Sequence, residues 1–187
     1  MTTVRLLRYL TLLALTSVAP CGLAQSGTLL FQGTIAANSC AVHTHAHGAP
    51  VRSLSPTFTV DLPTVGTDAL TTRGQTAGWS PFVIRIGQCG GFARLVRAHF
   101  EPGTFVDPAT GRLDVDAHSS ARNVQIALRE QGSARHILIG APVGQQGPTL
   151  QLLQDHAMLV YEAGYYALGQ ASPGSVRTSV EYNLVYH

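Results

Sequence analysis

The sequence predicts an all-β sandwich, and three observations carry that expectation. Apolar residues recur with period two in short runs; Gly, Pro, Asn and Asp separate the runs at irregular spacing; and no capped amphipathic helix interrupts them. Residues 150–159 alone have a pattern that could hold a short helical turn. An antiparallel sandwich of one domain fits such a chain.

The elements follow in order. Residues 27–37 alternate first: Leu29, Phe31, Ile35 and Ala37 share one face of an extended strand, and Gly33 leaves a gap in that face. An exposed apolar strand is an aggregation liability unless it pairs with something. Residues 58–62 alternate before Pro63, residues 82–86 before Cys89, and residues 94–100 before Glu101-Pro102-Gly103. Phe82, Ile84 and Ile86 are expected in the core. Further strands are expected at 113–115, 123–128, 137–139, 158–168 and 176–186, with turns at Asp107-Pro108 and Pro173-Gly174. In the last strand Val180, Tyr182, Leu184 and Tyr186 share one face, and the sequence ends one residue later at His187. A strand this regular is expected to pair in the sheet, so that the sandwich ends on an edge.

Residues 1–24 are expected to be a secretory signal peptide. Arg5 and Arg8 form the basic region, residues 9–19 are an apolar run too short to span a bilayer, and Gly22-Leu23-Ala24 supplies small residues for cleavage before Gln25. A lipid anchor on Cys21 is disfavoured by Pro20 beside it. Removal of the leader leaves Cys40 and Cys89 in an oxidising compartment, which predicts one disulfide. All twelve basic residues are arginine, and the ten outside the leader offset ten acids. A net charge near zero gives no footprint for nucleic acid, and no second apolar span offers a membrane anchor.

Sites of chemistry are few. His43, His45 and His47 would align on one face of a strand about 6.5–7 Å apart. Such a tract can bind zinc or copper, but three ligands from one strand do not converge on one ion without a bend, and no nearby acid or cysteine completes the set. A metal-binding module using His43, His45 and His47 is the alternative function. Asp114 and Asp116 share a strand face, yet such a pair is more often a solvated edge than a glycosidase dyad. Gly-x-Ser-x-Gly, His-Glu-x-x-His and phosphate-cradling glycine loops are absent, so no enzyme and no cofactor are expected. Gly90 and Gly91 after Cys89 read as a turn.

Taken together, the leader, the alternating segment ending in Cys40 and the strand at the C-terminus resemble the subunits of chaperone–usher (type 1-like) fimbriae. Phe31-Gln32-Gly33-Thr34-Ile35 and Asn38-Ser39-Cys40-Ala41-Val42 look like the N-terminal pattern of that family, and residues 82–89 like its second-cysteine strand. Ala163-Gly164-Tyr165-Tyr166-Ala167, Pro173-Gly174-Ser175-Val176 and residues 182–186 look like its C-terminal signature. The resemblance implies an incomplete immunoglobulin-like β-sandwich that lacks its final strand, spanning residues 39–187, preceded by a donor-strand extension at 25–38. It implies that Leu29, Phe31, Gly33, Ile35 and Ala37 are donor residues, and that Val180, Tyr182, Leu184 and Tyr186 line an acceptor groove. The implied partners are other fimbrial subunits, a periplasmic chaperone and an outer-membrane usher, with export through the periplasm to a surface fimbrium. His187 departs from the neutral polar residue familiar at that end, and the His-rich stretch after Val42 is atypical. A chain of this length, carrying its own donor segment, is expected to be a shaft or adaptor subunit rather than a two-domain tip adhesin.

Overall fold

The computed structural model describes residues 40–46 and 57–187. The expected signal peptide, the segment 25–38 with Leu29, Phe31, Gly33, Ile35 and Ala37, and His47 lie outside the described residues.

Among the described residues, nine strands form two antiparallel sheets. The larger contains β1 (Ala41–Ala46), β2 (Thr76–Gly87), β8 (Ala157–Ala167), β6 (Val124–Glu130), β5 (Arg112–Asp114) and β4 (Val106–Asp107), in that spatial order. The smaller is ordered β7 (Leu150–Gln151), β3 (Leu95–Phe100) and β9 (Tyr182–Tyr186). Alternation in the sequence becomes a shared core: Ile84, Leu159, Val96, Phe100 and Tyr161 are each 0–1 % exposed. Phe82 stacks at 5.7 Å from Tyr161, and Phe100 meets the same ring edge-on at 5.3 Å.

As expected, Phe82, Ile84 and Ile86 are buried in β2, but Val83 between them is buried too, because β2 lies inside its sheet between β1 and β8. Cys40 and Cys89 are joined by a disulfide, tying the start of β1 to the end of β2 across 49 residues. The chain then turns at Gly90 and Gly91.

Several expected elements take another form. Residues 150–159 hold no helical turn. Gln154 and Asp155 adopt left-handed φ values of 51° and 64°, and Leu153 and His156 exchange both backbone hydrogen bonds, so the segment is a tight hairpin turn between β7 and β8. Residues 137–139 are not a strand, although Ile137 and Ile139 are buried on either side of the exposed Leu138: the Ile137 amide donates to Leu128 and the Ile139 amide to Gly111, two different elements. Only 182–186 of the last expected strand join the ladder. Upstream, the carbonyls of Ser175 and Arg177 accept from Ala121 and Asp116, a loop rather than a strand. Residues 58–62 run outside both sheets, and a 3-10 helix at Thr67–Leu70 buries Leu70.

β2 carries one extra residue against β8 between Ala77 and Ser80. Gly78 takes φ +65°, the left-handed conformation such a bulge requires, and the bulge re-aims Trp79. The indole lies over Gly164 of β8, where an added Cβ would approach ring atoms to 2.6 Å. A missing side chain on one strand is thus filled by a ring from its neighbour.

Candidate functional site

The site begins with unequal burial within one sheet. In β3, Val96, Ala98 and Phe100 point into the core and are 0–3 % exposed. Their register partners in β9 are Tyr186, Leu184 and Tyr182, which point the same way yet are only half-buried. β3 has a strand on each side, whereas among the described residues the ladder of β9 runs to β3 alone. The pattern continues upstream: Val176, Thr178 and Val180 are half-buried while Arg177, Ser179 and Glu181 are exposed. One apolar row therefore extends from Val176 to Tyr186 along the sheet edge and its approach.

A second row comes from residues 57–62. Phe58, Val60 and Leu62 are half-buried against the main core, and Thr59 and Asp61 are exposed. Phe58 stacks on Phe82 at 5.7 Å, and the Ser80 hydroxyl donates to the Asp61 carbonyl at 2.8 Å, which fixes this segment beside β2. Val176, Val180, Tyr182, Leu184 and Tyr186 belong to the fringe of the same core. The three residues at 58–62 were legible as a strand, but not as a boundary of the site.

Partial burial also marks the phenols. Desolvation raises the Tyr182 and Tyr186 hydroxyls above the ordinary tyrosine value, with the Tyr186 charge adding to the effect on Tyr182. At the end of β9, Phe92 meets the Tyr186 ring edge-on at 5.6 Å, and the His187 carbonyl accepts from the amides of Arg94 and Leu95. Apolar rows beside a strand edge can hold a peptide by ladder hydrogen bonds and side-chain burial.

The other candidates fall to structural roles. His43 and His45 hold register positions opposite Arg85 and Val83, so one imidazole position faces a guanidinium, and among the described residues no group of three His, Cys, Asp or Glu could hold a metal ion. The metal-binding alternative thus has no support. Asp114 and Asp116 do not act as a pair: β5 ends at Asp114, whose carboxylate accepts from Gln125, while Asp116 accepts from the His118 amide and the Ser119 hydroxyl in the following turn.

Two packed antiparallel sheets, one ending on an apolar strand edge, define an immunoglobulin-like domain of the kind found in pilus subunits. The domain aligns with the crystal structure of the P pilus rod subunit PapA at a TM-score of 0.54 and 16 % identity, covering 77 % of this chain and 99 % of that one. The family model described as type-1 fimbrial protein, A (FimA) matches residues 62–187. The chain is 34 % identical to the F17 fimbrial protein of Escherichia coli over 88 % of its length and 89 % of that protein's. It is 36 % identical to the major fimbrial subunit SMF-1 of Stenotrophomonas maltophilia, over 88 % of its length and 94 % of the relative's. The chain belongs to the type-1 fimbrial protein family, whose members are structural subunits and not enzymes.

Proposed function

We propose that the protein polymerises into a surface adhesion fibre by donor-strand exchange. The segment 25–38 of one subunit lies along the edge of β9 in the next, with Leu29, Phe31, Ile35 and Ala37 entering the space between residues 58–62 and 176–186 and Gly33 leaving a gap in that face. The observation that carries this reading is the half-buried row Val180, Tyr182, Leu184 and Tyr186 at the fringe of the core, whose register partners Val96, Ala98 and Phe100 in β3 are fully buried. Alternating apolar residues in 27–37 would complement the inward-facing row of Tyr182, Leu184 and Tyr186.

Before assembly the same edge needs a temporary strand, which a periplasmic chaperone would supply and an outer-membrane usher would exchange for the neighbour's segment. Residues 1–24 would direct export and be removed. Likeness to a major subunit over nearly the whole length of both chains favours a repeated shaft subunit.

Secretion of the chain to the periplasm with and without its chaperone tests the incomplete fold. The expected result is a protease-resistant subunit with the chaperone, and degradation or aggregation without it. A stable, soluble monomer made without any partner would contradict the reading.

A further inference from the structure

Far from the β9 edge, the outer face of the six-stranded sheet carries an ordered stack. The Arg112 guanidinium lies 3.6 Å over the Tyr166 ring, and Tyr166 meets the His136 imidazole edge-on at 5.8 Å. On its other side His136 packs at 5.7 Å against Trp79, which carries the Arg129 guanidinium at 3.8 Å. Four strands contribute Arg112, Arg129, Trp79 and Tyr166. His136 comes instead from the loop after β6, where it forms a single bridge to Arg129.

That loop closes over the core. Ile137 and Ile139, immediately after His136, are 5 % and 4 % exposed and belong to the main core, yet the segment has no strand ladder of its own. Backbone bonds to other elements are few: the Gln131 amide donates to Val160, the Ile137 amide to Leu128 and the Ile139 amide to Gly111. Beside the buried Ile137 and Ile139, the imidazole docks the segment onto the outer face of the sheet, against Trp79 and Tyr166.

We propose that His136 is an acid-sensitive latch, in which protonation of the imidazole releases residues 131–140 and uncovers the core beneath Ile137 and Ile139. The charged groups around it oppose a cation. Arg112 faces it from β5 and Arg129 from β6; the Glu162 carboxylate of β8 is engaged with Arg129 at 2.7 Å, and Asp107 of β4 accepts from Thr110, Gln125 and Ala109. Among the described residues no carboxylate lies within ion-pair distance of His136. Burial, then Arg112, then Arg129 hold its proton affinity below the ordinary histidine value. The folded state therefore prefers neutral His136. Its contribution to stability is complete above the ordinary value of about 6.5 and declines as pH falls below it.

Hydrogen–deuterium exchange on the complemented subunit, in its assembled fibre or chaperone complex, at pH 7.5 and 5.0, with times scaled for intrinsic exchange, tests the latch. The amides of Ile137 and Ile139 are expected to lose protection at pH 5.0, while the central strands do not. His136→Phe keeps the aromatic stack without a proton and should abolish the pH dependence. Unchanged protection in the native chain, or an equal loss in His136→Phe, would overturn the proposal. Should that variant fail to fold, NMR titration of the native protein decides. An imidazole midpoint below 6.5 with coincident amide shifts at Ile137 and Ile139 supports the latch, and a midpoint at or above 6.5, or silent amides, refutes it.

Discussion

Gly164→Ala turns the packing of the outer sheet face into a measurable quantity. The added methyl would sit 2.6 Å from Cδ2 and Cε3 of Trp79 and 3.1 Å from Cε2. Carbon atoms at ease stand about 3.5–4.0 Å apart, so the indole must retreat by roughly 1 Å. Overpacking of this kind costs about 1–3 kcal/mol. Displacing the ring also weakens the Arg129 stack, a contact of the class worth about 0.5–1 kcal/mol. Gly164 does not occupy a positive φ, so backbone strain adds nothing, and the lower entropy of an unfolded alanine chain returns about 0.4–1 kcal/mol. A net loss of about 1–3 kcal/mol remains, which for a domain of this size lowers the melting temperature by roughly 2–12 °C. Thermal unfolding of the complemented subunit measures it. In a Trp79→Leu background the methyl has room, so Gly164→Ala should there be neutral or stabilising. An equal cost in both backgrounds would refute the contact between ring and glycine.

Three further outcomes are expected. Gly33→Arg places a long charged side chain where the donor segment has none; it should abolish fibre ladders on unheated denaturing gels while leaving the single subunit folded. Leu184→Asp sets a carboxylate on the half-buried row of β9 and should abolish incorporation of the subunit as an acceptor while it can still act as a donor, a difference read by mixing tagged variants. Cys40→Ser opens a loop of 49 residues and should cost about 4 kcal/mol of subunit stability, seen as a lower denaturant midpoint.

Much of this fold was legible because period-two apolar patterns survive wherever a strand has one covered face. Residues 82–86, 94–100 and 158–168 read correctly for that reason, and the disulfide followed from counting cysteines in an oxidising compartment. Other features were set by tertiary contacts that no local pattern encodes. The alternation of residues 58–62 is that of a strand, but whether such a segment enters a ladder depends on what lies beside it, and here it lines the core outside both sheets. Residues 153–156 turn on left-handed Gln154 and Asp155, neither of them glycine, so the turn signal was weak. Trp79 reaches the outer face through a bulge, and a bulge is a mismatch between two strands rather than a property of one. Of the site, the row Val180, Tyr182, Leu184 and Tyr186 was readable as a face. Its partial burial was not, because burial depends on which neighbours a strand lacks.

Donor-strand exchange as proposed would place the segment 25–38 of one subunit on the β9 edge of another. A photoreactive amino acid at Phe31, activated in assembled fibres, tests it by recording the neighbouring residues as covalent adducts. The expected products are subunit dimers whose cross-linked peptides come from residues 57–62 and 176–186 of a second chain. Adducts confined to the same chain, or to surfaces remote from β9, would contradict it.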